Sequence, residues 1–185
     1  EMEHDACGVG LISSTEGKKS RKIVEYGIEA LKAVWHRGAV DADGKTGDGA
    51  GIHVEIPKDF FIEKVEVTGH TYDNSEICVG MIFLPRNDYA AQESCKTIVE
   101  SELTKNDFSI YGWRQVPVNP KVLGEKAFQT MPEIIQVLFK SNNPELLNKD
   151  LERKIYETRR IIENKAFQIS LNNFYICSLS SKSII

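Results

Sequence analysis

The stretch Asp5-Ala6-Cys7-Gly8-Val9-Gly10-Leu11-Ile12 places a thiol directly before two glycines and a short apolar run, close to the beginning of the chain. If the residues before Cys7 were removed, this one residue would carry both a sulfur nucleophile and a free α-amine able to act as its base. The unperturbed pKa of an α-amine, about 7.7–8.0, leaves a useful fraction neutral at cellular pH. The alternative is that Cys7 is a small hydrophobic residue at the start of a buried strand, the commoner role of an isolated cysteine.

Composition excludes several classes of protein. The chain has 185 residues, of which 41% are hydrophobic and 27% charged, which is typical of a globular domain and not of a disordered or fibrous protein. A formal charge of −4 argues against a nucleic acid or an anionic membrane as partner. The sequence contains neither an apolar run of the ~20 residues that span a bilayer nor the layout of a signal peptide. We therefore expect a cytoplasmic protein that binds small molecules or other proteins.

The four cysteines are scattered through the chain without a Cys-x-x-Cys pair, so neither a disulfide framework nor a zinc or iron–sulfur site is indicated. Cys7 alone lies beside glycines, whereas Cys78, Cys95 and Cys177 have apolar or helical neighbours and are expected in the core. A thiol redox protein that uses Cys7 with a resolving cysteine is a further alternative. No histidine has a spacing that selects it as the base for Cys7; the four are His4, His36, His53 and His70.

Apolar spacing predicts a mixture of helices and strands. A buried strand is predicted at 7–13, followed by a helix that Ser20 caps and that ends near His36. Further helices are predicted at 87–105 and 145–165, the second with a solvated basic face. Strands are predicted at 52–56, 77–84, 108–118, 134–139 and 174–179, with an extended region after Leu123-Gly124-Glu125. Residues 77–84 are apolar almost throughout, which indicates a strand buried on both faces of a layered α/β architecture.

Residues 38–51 form a loop that carries five glycines and three aspartates. The triplet Gly44-Lys45-Thr46 resembles the end of a nucleotide-binding loop, but Ala39 occupies the position of the first glycine of that motif, and the loop follows a helix instead of a strand. A calcium loop that starts at Asp41 would place Lys45 where an oxygen ligand is needed. We expect the glycines to let the backbone approach a neighbouring segment or a small ligand closely. The aspartates, which are Asp41, Asp43 and Asp48, are expected to form turns.

Arg37 follows the predicted helix and precedes Gly38. A guanidinium at this position can bind the last carbonyl groups of the helix, which would be a structural role. It can equally support an active-site loop or bind a carboxylate-bearing substrate. Both roles remain open from the residues alone.

Several of these motifs together resemble the class II glutamine amidotransferases, a family with an N-terminal nucleophile. The glycine-rich loop at 42–51 is the most specific of them, and the resemblance covers essentially the whole chain. The other motifs are Cys7-Gly8-Val9-Gly10, His36-Arg37-Gly38-Ala39, Pro57-x-x-Phe60-Phe61, Val79-Gly80-Met81-Ile82-Phe83-Leu84, Gly112-Trp113-Arg114, Leu123-Gly124-Glu125 and Phe174-Tyr175-Ile176-Cys177-Ser178-Leu179.

The resemblance implies an α/β (α+β) fold, the N-terminal-nucleophile hydrolase four-layer α/β/β/α sandwich, of which this chain would hold an incomplete part. Residues 1–6 would be a propeptide remnant and 7–185 the N-terminal part of the amidotransferase domain. Cys7 would be the catalytic nucleophile, and Arg37 and Gly38 would belong to the active-site loop beside it. The expected reaction is hydrolysis of glutamine to glutamate and ammonia through a cysteinyl thioester.

In the large synthases of this family, the ammonia reaches 2-oxoglutarate in a separate domain and is used in glutamate biosynthesis. No cofactor is expected in this chain, whereas FMN and an iron–sulfur cluster are expected in other domains. The expected partners are glutamine, those remaining domains, and a small subunit or another electron donor. The family's oxyanion hole is expected beyond Ile185, so we expect the isolated chain to be close to inert. The alternative is a truncated, non-catalytic remnant that acts at most as a folded binding module.

Overall fold

A computed structural model of the chain describes residues 8–35, 38, 40–47 and 49–185. The chain divides into two compact units, a smaller one of Glu1–Val54 and Asn119–Met131 and a larger one of Glu55–Val118 and Pro132–Ile185. Its helices and strands are, in chain order, α1 (Arg21–Ala33), β1 (Val54–Glu55), α2 (Lys58–Val67), β2 (Cys78–Leu84), α3 (Tyr89–Lys105), β3 (Phe108–Gln115), α4 (Glu125–Thr130), β4 (Glu133–Ser141), α5 (Asn148–Gln168), β5 (Tyr175–Ser180) and β6 (Ser183–Ile184). This mixture of helices and antiparallel strands is consistent with the α/β (α+β) class that the sequence predicts.

The larger unit is built on a four-stranded antiparallel sheet in the order β3-β4-β2-β5. Strand β2 is central, and five of its seven residues are buried, as its unbroken apolar sequence predicts. Gly80 of β2 lies directly opposite Val137 of β4 and Leu179 of β5. The two branched side chains on either side occupy the space that a side chain at position 80 would need.

Helices α3 and α5 contact each other and pack on one face of this sheet, where they form the main hydrophobic core. Helix α5 contributes a stripe of buried residues at spacings of three and four, which is the pattern of an amphipathic helix. The stripe consists of Leu151, Ile155, Thr158, Ile162 and Ala166. Helix α3 contributes Cys95, Val99 and Leu103 in the same way. The predicted burial of Leu151, Ile155 and Ile162 is confirmed, whereas Leu147, which we also expected to be buried, precedes α5 and is 52% exposed.

Charged groups at the edge of the core join its elements. The Glu102 carboxylate of α3 is only 6% exposed and accepts hydrogen bonds from Lys165 of α5 at 2.7 Å and from Lys105 at 3.0 Å. These bonds, first that from Lys165, lower the pKa of Glu102 below its ordinary value. On α5, Arg159 donates to the carbonyl of Ile176 at 2.7 Å. The predicted basic face of α5 is therefore not wholly solvated, because Arg159 bonds α5 to β5.

Several sequence-based predictions of secondary structure are wrong. No strand forms over the described part of 7–13, where Val9 and Leu11 are 97% and 89% exposed, because none of the described residues offers hydrogen bonds to this segment. Residues 58–67 form a helix that the sequence analysis missed, although the spacing of the buried Phe61 and Val65 is helical. The region after Leu123 continues as helix α4 and not as an extended segment.

Candidate active site

The structure places only part of the predicted site. Cys7 and Arg37 lie outside the described residues, as do His4, His36 and Asp48. Gly38 is described and exposed, and its backbone N–H donates to the carbonyl of Trp35 at 3.0 Å. This bond joins Gly38 to the second residue after α1, and the predicted role of Arg37 and Gly38 in an active-site loop stays a prediction.

Helix α1 is the element to which both Gly8 and Gly38 are close. The Ser20 hydroxyl accepts a hydrogen bond from the backbone N–H of Lys22, which confirms the predicted N-cap, and the helix ends at Ala33, slightly before the predicted end. A Cβ atom built on Gly8 would lie 3.8 Å from Cγ2 of Val34. The residue that follows Cys7 is therefore a close neighbour of the C-terminal end of α1, three residues before Arg37.

The described part of the glycine-rich loop forms a short hairpin over residues 40–47, called the glycine hairpin below. Its two arms meet in an isolated antiparallel bridge between Val40 and Gly47 and in a hydrogen bond from the N–H of Asp41 to the carbonyl of Thr46 at 2.8 Å. Gly44 lies at the turn with a φ of +69°, a conformation that favours glycine. The glycines expected to permit a close approach therefore serve, at this position, to reverse the chain.

Asp43 stabilises the turn of the hairpin from within. Its carboxylate accepts hydrogen bonds from the Thr46 hydroxyl at 2.5 Å and from the N–H groups of Thr46 and Lys45 at 2.7 and 2.9 Å. These bonds, the Thr46 hydroxyl first, hold the pKa of Asp43 well below its ordinary value. Asp41 pairs with Lys126 of α4 at 2.5 Å, which lowers the pKa of Asp41 and raises that of Lys126. Asp41 and Asp43 thus form turns as predicted, and both also contact α4.

The glycine hairpin caps the N-terminus of α4. Gly124 is the N-cap residue, and it has no side chain to accept the first free N–H groups of the helix. The Thr46 hydroxyl accepts from the N–H of Ala127 at 3.3 Å, and Asp43 Oδ2 makes a weaker contact of 3.5 Å with the N–H of Lys126. A Cβ on Gly124 would lie 2.6 Å from the N atom of Thr46 and closer still to Asp43 Oδ2 and Thr46 Oγ1. The close approach predicted for this loop therefore depends on Gly124.

Comparison with known proteins identifies the family. A sequence model described as glutamine amidotransferases class-II matches residues 7–185, which is nearly the whole chain. The chain belongs to the class II glutamine amidotransferases.

Relatives of this amidotransferase chain are glutamate synthases. It is 55% identical over 185 residues to the glutamate synthase [NADPH] large chain of Azospirillum brasilense, covering 100% of this chain and 12% of that protein. It is 37% identical over 185 residues to the chloroplastic ferredoxin-dependent glutamate synthase of Spinacia oleracea, covering 99% of this chain and 11% of that protein. It is 40% identical over 193 residues to the ferredoxin-dependent glutamate synthase of Pyropia yezoensis, covering 100% of this chain and 12% of that protein. The chain therefore spans about an eighth of the length of these relatives.

None of the cysteines of this amidotransferase that the structure describes has the lowered pKa of a reactive thiol. Cys78 and Cys95 are buried, Cys177 is partly exposed, and all three are free. Burial raises the pKa of each thiol, that of Cys95 to about 11. A resolving partner for a redox reaction at Cys7 would have to come from these three, and only Cys177 is accessible.

Neither of the two described histidines, His53 and His70, is identified as a base for Cys7. His70 lies in the larger unit, where Nδ1 is 3.1 Å from the Thr68 hydroxyl and the ring packs edge-on against Tyr111. His53 is exposed near the end of the smaller unit. Neither observation selects a histidine as the base for Cys7.

The described ranges of this amidotransferase contain no group of three or more histidine, cysteine or acidic side chains that could hold a metal ion. Within the same ranges, no helix is both long and apolar enough to cross a membrane. The larger unit has an open concavity of about 420 Å³ between α5 and β5. Its arginines, Arg159 and Arg160, both pair with the single carboxylate of Glu163, which offsets one of their two positive charges.

The contact between the glycine hairpin and Gly124 is the part of this site that the sequence analysis missed. The two segments are about eighty residues apart, and nothing in the local pattern joins them. The one available signal was a glycine directly before a short helix, at an N-cap position where a capping side chain is the common choice.

Proposed function

We propose that this chain is the glutaminase portion of a glutamate synthase large chain, in which Cys7 is the nucleophile that hydrolyses glutamine to glutamate and ammonia. The observation that carries the proposal is the family match over 7–185, which begins at Cys7 and leaves residues 1–6 unmatched. The identity of 55% to a glutamate synthase large chain supports the same assignment. The sequence supplies the chemistry, because a cysteine that becomes the first residue of a chain carries its own base.

In this proposal, residues 1–6 are a propeptide remnant, and their removal frees the α-amine of Cys7. The amine accepts the thiol proton, and the thiolate adds to the side-chain amide carbon of glutamine. The C–N bond then breaks, the proton passes from the ammonium group to the leaving nitrogen, and ammonia departs from a γ-glutamyl thioester. Water, deprotonated by the same amine, hydrolyses the thioester to glutamate and returns the thiol. While Ala6 remains attached, the nitrogen is an amide that cannot act as a base.

Arg37 and Gly38 would form the active-site loop beside Cys7. The described neighbours of these residues support this role, because Gly8 is close to Val34 and Gly38 donates a hydrogen bond to Trp35, so both lie at the C-terminal end of α1. A guanidinium at position 37 can bind a substrate carboxylate through paired N–H donors. Cys7 and Arg37 are each next in sequence to one of these two glycines, which is compatible with the use of both residues in one site.

The rest of the assignment follows from the family. The complete domain would be the four-layer α/β/β/α sandwich, to which the four-stranded sheet with α3 and α5 would contribute one sheet and one helical layer. Ammonia would pass to 2-oxoglutarate in other domains that carry FMN and an iron–sulfur cluster and that receive electrons through a small subunit or another donor. We propose a cytoplasmic location from the sequence composition; the relatives whose names give a location include chloroplastic enzymes.

Labelling with a glutamine-mimicking electrophile tests the proposal. In the protein that carries this chain, we expect modification of Cys7, a mass that shows loss of residues 1–6, and glutamine-dependent release of glutamate and ammonia. Cys7→Ser should abolish labelling and hydrolysis, because the hydroxyl is a far weaker nucleophile than the thiol. Cys177→Ser, which removes the partly exposed thiol, is the matched control and should change neither.

Two results would contradict the proposal. Uniform retention of residues 1–6, with Cys7 unlabelled, would instead favour a folded, non-catalytic binding module. Labelling that persists in Cys7→Ser but is lost in Cys177→Ser would show that the nucleophile is Cys177 and not Cys7.

A further inference from the structure

The link between the glycine hairpin and α4 has a consequence for the loop that precedes the hairpin. We propose that Gly124, Asp43 and Thr46 are positioning residues for the glutaminase reaction: by capping α4, the hairpin holds Gly38 in its productive place. This inference rests on the proposed function and adds to it three residues outside the predicted site.

The contact is specific and polar. Thr46 Oγ1 donates to Asp43 Oδ2 at 2.5 Å and accepts from the N–H of Ala127 at 3.3 Å, so one hydroxyl joins the hairpin to the helix. The first helical hydrogen bond of α4 runs from the N–H of Phe128 to the carbonyl of Gly124 at 2.9 Å, which leaves the earlier N–H groups of the helix without intrahelical partners. The hairpin supplies the acceptors that a serine or aspartate at the N-cap would supply elsewhere.

Gly124 makes this arrangement possible. Its missing side chain leaves the space that Asp43 Oδ2 and the hydroxyl and N atoms of Thr46 occupy. Two of these three neighbours are tied to the hairpin by hydrogen bonds, and the third is backbone, so none can rotate away freely. Any larger residue at position 124 would therefore displace the tip of the hairpin.

Displacement of the tip would be transmitted to position 38. The arms of the hairpin are joined at Val40 and Gly47 and between Asp41 and Thr46, so the hairpin moves as a unit. Gly38 precedes Val40 by two residues and donates a hydrogen bond to the carbonyl of Trp35, so a shift of the hairpin would act on this hydrogen bond. A misplacement of ~1 Å in a group that orients the substrate can cost on the order of 10²-fold in rate.

Two pairs of variants in the protein that carries this chain test the inference. Gly124→Ala introduces the obstructing methyl group, and Gly27→Ala is its control, because a Cβ at position 27 meets nothing within 4 Å. Thr46→Val removes the bridging hydroxyl at nearly constant shape, and Thr46→Ser restores it. Thermal unfolding and circular dichroism monitor the fold of each variant.

The readout separates positioning from simple structural damage. We measure kcat and KM for glutamine hydrolysis, and the rates at which Cys7 reacts with a glutamine-mimicking electrophile and with iodoacetamide, which needs no substrate site. Gly124→Ala and Thr46→Val should lower kcat/KM and the glutamine-analogue rate by roughly 10- to 100-fold. The iodoacetamide rate should change by less than about twofold, and Thr46→Ser and Gly27→Ala should behave as the unsubstituted protein.

Unchanged glutamine kinetics in Gly124→Ala and Thr46→Val would overturn the inference and leave the proposed function intact. Equal losses in Thr46→Val and Thr46→Ser would also overturn it, because the hydroxyl would then be irrelevant. If Gly124→Ala also loses the iodoacetamide reaction and its circular dichroism signal, that variant is unfolded. The inference is then tested by the comparison of Thr46→Val with Thr46→Ser. Absence of Cys7 labelling in the unsubstituted protein would refute the proposed function and, with it, this inference.

Discussion

Substitution of Gly80 by alanine should destabilise the larger unit, although alanine usually stabilises a protein relative to glycine. Gly80 lies in the central strand β2, opposite Val137 on one side and Leu179 on the other. A Cβ at this position would lie 2.6 Å from Cδ1 of Leu179 and 2.7 Å from Cγ1 of Val137. Carbon atoms in favourable contact are ~3.5–4.0 Å apart, so both neighbours would have to move by roughly 1 Å.

The magnitude follows from two opposing effects. Overpacking a well-packed core costs about 1–3 kcal/mol, and Val137 has little freedom to yield because its branched side chain is stiff about χ1. Alanine also reduces the conformational entropy of the unfolded chain, which offsets about 0.4–1 kcal/mol where the backbone conformation permits it. The net expectation is a loss of about 1–2 kcal/mol in the free energy of unfolding.

Urea denaturation followed by far-UV circular dichroism measures this loss. The same substitution at Gly27 in α1, where a Cβ meets nothing within 4 Å, should instead be stabilising by up to ~1 kcal/mol. In a Val137→Ala background, half of the obstruction is gone, and the cost of Gly80→Ala should fall by at least half. A stabilising effect of Gly80→Ala, or an unchanged cost in the Val137→Ala background, would refute the reasoning.

Two further predictions concern the charged and thiol groups of the larger unit. Because the pKa of Glu102 is lowered on folding, its contribution to stability is present above the unfolded pKa of about 4.3 and is lost as the pH falls below it. Glu102→Gln should therefore weaken the fall in the free energy of unfolding at acidic pH, measured by urea denaturation. At neutral pH it should cost about 1 kcal/mol, a modest value because Lys105 and Lys165 each keep more than a third of their side-chain surface in water. Mass spectrometry after brief treatment with iodoacetamide should show Cys177 modified before Cys95, because Cys95 is buried and burial raises the pKa of its thiol to about 11. The reverse order would contradict the packing of α3.

The sequence by itself determined the elements whose signal is local. Helices α3 and α5 follow from apolar residues at spacings of three and four, and strands β2 and β4 follow from runs that are apolar or, in β4, interrupted only by Gln136. The N-cap at Ser20 and the turns at Asp41 and Asp43 involve partners within a few residues, so they too could be predicted. The motifs around Cys7 and in the glycine-rich loop were sufficient to predict the family that the comparison confirms.

Tertiary structure decided the features that depend on partners distant in sequence. The apolar residues at 8–12 have the composition of a strand but remain without one, because a strand exists only where a second chain segment accepts and donates its backbone hydrogen bonds. Gly80 and Gly124 are ordinary glycines in the sequence, and only the neighbours that fold against them forbid a side chain. A local pattern records the propensity of a residue, whereas the space around it is set by residues far along the chain.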